Sequence, residues 1–528
     1  MDKNRNLFNG DFGCMFWNAE MWQGDEERYT AGAIHRFVDN LADNGVDTFI
    51  INPHTKVAWY PSKVVPTILD RYIRDDPAFF APVSEGCNWF CPDFINPYLD
   101  LAEAGIDWLS EAITACGQRG LASWISVRMN DPHNSTNPAD PMNPPQLLDS
   151  RLQLGGPGAY PESRYDMGTW GLNYACAEVR DYMFAMIREL IEEYDARGLQ
   201  LDWLRVPACC PPGASQATIE MMTDWFWGIR ELTKAKAGQT GRPFPLGMRV
   251  PGNYRMLRHI GIDVAALVEE GVLDFLCPSN FMQTSWDMPH DRLRRELGAE
   301  ITIYGVTELW LNSLWSHVGS DTDRYNSANP AALRGNAAGK LALGADGIEQ
   351  FNFFVADLAR KYDGLDYRGE YAALRGLANL EALRGQEKHY ALTTVGRHCW
   401  VPPFDLPDSL PVVLEPQWRR AFRLPMCAEP ADSGLELVIQ VIVEKGEVDV
   451  GLSFNGSWPR FDGHPTDQLL FLRQPHMRHV PGHQAYDFRC DIAEICEGWN
   501  EIVVLNGAKE GKNVCKVVGL ELAVRKEL

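Results

Sequence analysis

From residue 12 to residue 385 the chain alternates short apolar runs with longer stretches whose apolar residues recur every three or four positions. The runs read as strands: "FGCMFW" (12–17), "DTFIIN" (47–52), "LASWISVRM" (121–129), "LQLDWLRV" (199–206), "PLGMRV" (245–250), "LDFLCP" (273–278), "ITIYGV" (301–306) and "GIEQFNFF" (347–354). Helical periodicity covers 30–44, 107–119, 215–236, 262–271, 289–297, 330–343 and 367–384. In "AEVRDYMFAMIRELIEEYDARG", Val179, Met183, Met186, Leu190 and Tyr194 mark one helix face, and Gly198 is placed to cap its end. Repeated strand-helix units predict a closed (β/α)8 TIM barrel with long loops. A doubly wound open sheet is the alternative, but no Gly-rich phosphate loop follows the first strand.

After residue 385 the pattern changes. Pro and aromatic residues crowd "GRHCWVPPFDLPDSLP", then strand-like runs appear at 419–426, 435–444, 448–454, 484–490, 500–505 and 514–525, separated by turn signals such as "NGS". This predicts an all-β jelly-roll sandwich, and hence an α/β barrel over 1–385 followed by a β-sandwich over 386–528.

Composition narrows the function. Of 528 residues, 45% are hydrophobic and 23% charged, as in ordinary globular proteins, and the net charge of -22 argues against nucleic acid as a partner. No apolar run is long enough to cross a bilayer and no signal-peptide core opens the chain, so a cytoplasmic protein without a membrane partner is expected. The 13 cysteines are irregularly spaced, and Cys87 with Cys91 and Cys209 with Cys210 lack the repeated spacing of a zinc site. Free thiols are expected. The glycosylation-like strings at Asn134 and Asn455 read as chance matches. Seventeen Trp, many beside loop signals, suit stacking on sugar rings, although any single Trp is first a core residue.

In a parallel barrel the carboxyl ends of all strands open on one face, where loops build the site. The acids there are Glu20, Asp131, Asp202, Glu308 and Glu349, whereas Asp274 starts its strand and reads as structural on the opposite rim. Trp17, His54, Arg128, His133, Arg205, Arg249, Asn280, Trp310 and Asn352 stand near the same ends. Asp202 lies within "GLQLDWLRVP", an otherwise buried run, where a carboxylate is costly unless it is used. Hydrolysis of a glycosidic bond needs two carboxyl groups, one to protonate the leaving oxygen and one to attack or to activate water. Asp202 and Glu308, on opposite walls, are the candidate pair, with Arg205 or Arg249 holding one ionised and Trp203 or Trp310 raising the pKa of the other. An ion pair closing the barrel mouth is the structural alternative for Asp202. Glu349 is the second choice for the chemistry and reads chiefly as a hydroxyl-binding group. Trp17, Glu20, His54, Arg128, Asp131, His133, Arg205, Arg249, Asn280 and Trp310 complete the expected substrate contacts.

"GLQLDWLRVP" resembles the fourth-strand motif of bacterial glycosyl-hydrolase-like barrels, and "VLDFLCPSNFM" and "ITIYGVTELW" resemble their sixth and seventh strands. The resemblance implies a glycoside hydrolase distantly similar to the α-amylase and α-galactosidase clans, with Asp202 as the fourth-strand acid. "GWNEIVVLNGA" and "VVGLELAVR" resemble the last strands of galactose-binding-like sandwiches, which serve as sugar binders or as structural props. Two departures stand out: strand four does not end in Asn-Glu, and the fifth strand carries no acid where amylases place their proton donor. The donor role therefore falls to Glu308. A metal-dependent sugar isomerase, epimerase or lyase is the competing enzyme, with Asp131, His133, Asp202, Glu308 and Glu349 as ligands for Mg²⁺, Mn²⁺ or Zn²⁺, although no tight ligand motif supports it. A non-catalytic sugar-binding protein is the third reading. The expected partner is a small carbohydrate; no cofactor and no resident metal are expected, and a homo-oligomer is left open.

Overall fold

Eight parallel strands follow one another in chain order and close into a barrel: β1 (Asn6–Asp11), β2 (Thr48–Asn52), β3 (Ala122–Arg128), β4 (Leu199–Asp202), β5 (Leu246–Pro251), β6 (Phe275–Ser279), β7 (Thr302–Thr307) and β8 (Gly347–Phe351). The computed structural model describes residues 5–11, 13–16, 19–83, 90–131, 133, 135, 137–155, 171–204, 207–280, 284–308, 330–353, 367–392, 409–446, 448–459, 463–467, 470, 482–509 and 514–526. The longer helices are α1 (Ala31–Asp43), α2 (Pro92–Glu103), α3 (Trp108–Arg119), α4 (Ala177–Glu193), α5 (Gln216–Thr240), α6 (Val264–Glu269), α7 (His290–Leu297) and α8 (Pro330–Ala342). The predicted helix over 367–384 is instead broken into single turns, Tyr367–Glu370, Tyr371–Leu374 and Leu380–Leu383.

The first strand is not the expected 12–17 but Asn6–Asp11, paired in register with β2 from Leu7↔Thr48 to Asp11↔Asn52, and Gly13–Phe16 is helical. The reason lies in its faces. Phe8 turns outward onto Phe37 of α1 and Phe49 of β2, while the inward positions of "NLFNGD" include Asn9 and Asp11, so the strand lacks the apolar run that marks the others. Gly198 is likewise not a helix cap, because α4 ends at Glu193. A Cβ at Gly198 would lie 2.8 Å from the Trp124 ring, and glycine is there for that close approach.

One compact unit holds β1 to β6 and the start of β7, and a second holds the end of β7, α8, β8 and the strands that follow. In the first unit the barrel interior is layered. Trp124 stacks on Phe275 with ring centroids 4.7 Å apart, and Tyr304 meets both rings edge-on. Above them is a polar layer: Asn9 Nδ2 and Ser126 Oγ donate to Gln200 Oε1 at 2.8 and 3.0 Å, and Gln200 Nε2 reaches Cys277 Sγ at 3.5 Å. Buried amides are tolerated there because they satisfy one another.

In the second unit β9 (Lys388–Ala391), β10 (Val412–Leu414), β12 (Leu435–Glu444), β14 (His464–Thr466), β15 (His483–Cys490) and β17 (Cys515–Lys526) form one antiparallel sheet, in the order β10-β17-β12-β15-β14 with β9 on β17. A second sheet is β11 (Arg419–Met426), β16 (Gly498–Asn506) and β13 (Val450–Phe454), in the order β11-β16-β13. Alternate residues such as Leu437, Ile439, Leu522, Leu424 and Val504 are buried, giving the sandwich its core. Helix α8 joins the sandwich through glycines. A Cβ at Gly335 would stand 2.0 Å from the His389 carbonyl oxygen, and one at Gly339 2.5 Å from that of Pro425.

Gly335→Ala is expected to lower stability by about 1–3 kcal/mol through overpacking. Gly238→Ala, in α5 with nothing within 4 Å of the new methyl, should raise it by about 0.5–1 kcal/mol. Urea unfolding of both variants checks this, and a common shift in midpoint would rule out the tight helix-sandwich contact.

Candidate active site

The ends of β3, β4 and β5 place Arg128, Asp202 and Arg249 side by side, since Arg128 is in register with Asp202 and Asp202 with Arg249. Neighbouring strands lie about 4.8 Å apart, so one acid is set between two guanidinium groups. Arg249 Nη1 donates to both oxygens of Asp202, at 2.9 and 3.0 Å, and the Leu204 backbone N–H donates to Oδ1 at 2.9 Å. Asp202 and Arg249 are each only 1% exposed. The ion pair weighed from the sequence is present.

Arg128 is shared more widely. It pairs with Asp11, at the end of β1, and its Nη1 donates to Asp131 Oδ2 at 2.9 Å. Burial pulls its pKa down, but Asp11, Asp131 and Asp202 outweigh that and leave it above the usual arginine value. Asp131 also accepts the backbone N–H and the Nδ1 of His133, at 2.9 and 2.6 Å. Lys56 Nζ secures the same loop by donating to the His133 carbonyl at 3.0 Å and to Ser135 Oγ at 2.7 Å.

His54 sits behind this row and is fully buried. The Arg128 backbone N–H donates to its Nε2 at 3.1 Å, so the ring proton is on Nδ1, which donates to the Thr55 carbonyl. Both nitrogens are thus engaged by the backbone. Burial lowers its pKa to about 4, with Arg128 adding to the effect and Thr55, Asp131 and Asp202 opposing it. At neutral pH the ring is uncharged.

In the second unit Glu308 follows β7 and is fully buried. Its backbone N–H donates to Thr284 Oγ1 at 3.0 Å. The next residue of that segment, Ser285, accepts from Asn336 Nδ2 at 3.3 Å, and Asn336 Oδ1 accepts from Thr307 Oγ1 at 2.9 Å and Lys340 Nζ at 2.5 Å. Lys340 also donates to the Val306 carbonyl. Burial lowers the Lys340 pKa to about 7, against the opposing pull of Glu308. On β8, Ile348 lies 3.2 Å from a Cβ built at Gly305, beside Lys340 of α8, so it faces the helix. Glu349, buried on the next position, faces the other way.

The remaining candidates are dispersed. Glu20 is exposed on the short helix Ala19–Gln23, and Asn280 is half-buried just past β6. Buried Asn352 has a left-handed backbone, φ 48. Trp17, Arg205 and Trp310 lie outside the described residues. Asp274, at the start of β6, is held by Arg230 at 2.6 and 3.0 Å and by the Leu246 N–H at 2.8 Å, which is the structural role expected of it. The sequence reading missed Asp11 and Thr284. Asp11 was within reach, because the polar alternation Asn9, Asp11 is a strand pattern for an interior that is itself polar. Among the described residues no group of three or more His, Cys, Asp or Glu side chains is suited to hold a metal ion, and no helix is long and apolar enough to cross a membrane.

No family model matches the sequence, and no curated protein matches it. Solved structures similar to it are glycoside hydrolases at a distance. The glycoside hydrolase domain of PgaB (BpsB) from Bordetella bronchiseptica is 10% identical, with 70% of this chain and 99% of that one covered and a TM-score of 0.40. An Anoxybacillus alpha-amylase is 12% identical over 96% of this chain and 99% of its own, with a TM-score of 0.37. A bacterial fucosidase is 12% identical over 97% and 94%, also with a TM-score of 0.37.

The depressed pKa of His54 makes stability depend on pH. The unfolded imidazole takes up a proton near pH 6.5, whereas the folded one does so only near pH 4. Its contribution is therefore complete above about pH 6.5 and is lost by about 3 kcal/mol as the pH falls towards 4. Urea unfolding across this range should show a shallower pH slope for His54→Asn than for the wild type; equal slopes would contradict a neutral buried ring.

Proposed function

We propose that the chain is a glycoside hydrolase acting on a small oligosaccharide or glycoside, with Asp202 and Glu308 as its two carboxyl groups. The observation that carries this reading is the concentration of charge at the strand ends of the first unit: Asp11, Arg128, Asp131, Asp202 and Arg249. Barrel interiors are ordinarily filled by branched apolar side chains, and burying ion pairs is at best neutral for stability. A row of them at the catalytic rim of the fold points to chemistry. Asp202, with both oxygens on one guanidinium, suits the ionised partner that attacks the anomeric carbon or activates water. Glu308 is assigned as proton donor from strand order: β4 and β7 belong to one closed barrel, whose strand ends share a rim.

Around this pair the reading gives Arg128, Asp131, His133, Arg249, Asn280 and Glu349 to sugar hydroxyls, with Glu20, Trp17, Arg205 and Trp310 as further substrate contacts. His54, whose two ring nitrogens are both in use, serves the site by holding the end of β3. The same proposal takes residues 1–385 as the catalytic part, 386–528 as the accompanying sandwich, a cytoplasmic setting and no cofactor.

A screen of aryl glycosides and plant or algal oligosaccharides tests the assignment. Asp202→Asn and Glu308→Gln should each lower kcat at least about 100-fold on whichever substrate the wild type cleaves. Losing the charge opposite Arg249 costs stability, on the order of 3 kcal/mol, so thermal unfolding of each variant accompanies the rates. Indistinguishable release of sugar by folded wild type and variants would sink the proposal. Sugar binding with no turnover in the wild type would favour a non-catalytic binder, and activity abolished by a chelator the metal-dependent alternative.

A further inference from the structure

Two adjacent thiols stand in the first unit beyond the end of β4. The sulfurs of Cys209 and Cys210 are 3.8 Å apart, and both residues are fully buried. Hydrogen bonds clamp their segment: the Ala208 carbonyl accepts from Asn130 Nδ2 at 2.6 Å, the Cys209 carbonyl accepts the Tyr174 N–H at 2.8 Å, and the Cys210 N–H donates to the Ile260 carbonyl at 3.1 Å. Asn130 follows β3, Tyr174 precedes α4 and Ile260 follows β5, so the cysteines sit where these segments meet.

The pair is arranged to react with itself. Side chains of consecutive residues in a strand point to opposite faces, and adjacent sulfurs meet only where the chain bends, as it does at Cys210. Gly261, with φ 100, faces that bend. A Cβ there would lie 3.2 Å from the Cys210 sulfur, so the glycine leaves this sulfur room to move. With Cys209 donating, the hydrogen bond between the thiols pulls Cys210 below the usual cysteine value, burial opposing and Arg180 assisting, whereas burial and the same contact push Cys209 up. One sulfur is thus the nucleophile and the other keeps its proton. Burial also selects the oxidant. A sulfur with no exposed surface is closed to glutathione disulfide and to other proteins, which leaves hydrogen peroxide, a molecule little larger than water.

We propose that Cys209 and Cys210 form a peroxide-sensing dithiol that closes to a disulfide between adjacent residues and thereby alters the chain beside Asp202. The Cys210 thiolate attacks one peroxide oxygen, giving a sulfenic acid and hydroxide. The Cys209 sulfur then attacks the sulfenic sulfur, the S–S bond forms, and the Cys209 proton leaves with the sulfenic hydroxyl as water. Two thiols are oxidised and one peroxide is reduced to water. Because a disulfide holds its sulfurs at about 2.05 Å, closure twists the peptide between the two residues, which carries the Cys209 carbonyl and the Cys210 N–H away from Tyr174 and Ile260. The Tyr174 ring lies 5.0 Å from that of Trp203, the residue after Asp202, so the change reaches the acid's neighbour.

The test treats the reduced full chain with hydrogen peroxide, alkylates the remaining thiols and digests with trypsin, which releases 206–230 with these two cysteines and no other. Cys496, which is exposed, reports that peroxide has acted. The peptide is expected to lose two hydrogens, to take up no alkyl label and to recover both labels after phosphine reduction; glutathione disulfide should leave it fully alkylated. Cys210→Ser is expected to slow loss of the Cys209 thiol about tenfold or more, and Cys209→Ser to leave a sulfenic acid at Cys210 that dimedone captures. Hydrogen exchange at the Tyr174 and Cys210 amides should rise at least about tenfold when the wild type is oxidised and stay unchanged in Cys209→Ser. The proposal is overturned if the peptide keeps both thiols once Cys496 is oxidised, if it becomes glutathionylated, if its sulfurs pass to sulfinic acid without a disulfide, or if exchange is indifferent to oxidation. The wild-type labelling decides the matter even where a variant fails to fold. No glycoside enters the experiment, so its outcome is separate from that of the barrel assignment.

Discussion

The row Arg128, Asp202, Arg249 imposes on its surroundings the rule that a buried charge must be answered. Asp202 alone cannot balance two guanidinium groups, and Asp11 and Asp131, both on Arg128, bring the acids to three against two. That demand explains why β1 ends in an acid and why the loop after β3 turns back on Asp131. His54 is neutral for another reason: burial leaves an imidazolium unhydrated, and Arg128 adds to that effect against the opposing pull of Thr55, Asp131 and Asp202. Beneath the charges, Asn9, Ser126 and Gln200 make a polar layer in place of the usual aliphatic one. The aromatic stack of Trp124 and Phe275 begins only below it.

The second unit solves a different problem, that of bringing a helix close to a sheet. Gly335 and Gly339 are four residues apart on α8 and so share one face, where backbone carbonyls of β9 and β11 approach nearer than any side chain allows. Asn336 and Lys340 of the same helix turn instead to β7 and to the segment at Thr284 and Ser285. One helix thus seats the sandwich with its glycines and steadies the backbone before and at Glu308 with its polar residues. The single amide of Asn336 links Thr307, Ser285 and Lys340.

Much of the fold was legible in the residue pattern, and the exceptions share a cause. Strands β2 to β8 coincide with apolar runs because their outward faces meet helices. β1 was misplaced because its inward face is polar, and an apolar run nearby, Cys14 to Phe16, belongs to a helix. Gly198 looked like a helix end because glycine after a periodic stretch usually is one; its true constraint is the Trp124 ring from another strand. For the candidate site, Asp202, Arg249, Arg128, Asp131 and His133 were all identified from their places at strand ends. Their mutual pairing was not, apart from the idea that an arginine would meet Asp202.

By itself, the sequence determined most of the segments that become strands and helices, the first strand and the stretch 367–384 excepted, that strands alternate with helices before an all-β region begins, and that acids and arginines concentrate where strands end. These are local properties, set by the periods of side-chain direction along a strand or a helix. Only the tertiary structure decided that Asp11 answers Arg128, that Arg249 rather than another arginine grips Asp202, and that Thr284 receives the N–H of Glu308. Each of these depends on register between strands or on packing between segments far apart in the chain, and a shift of one residue in register would turn every one of those side chains to the opposite face.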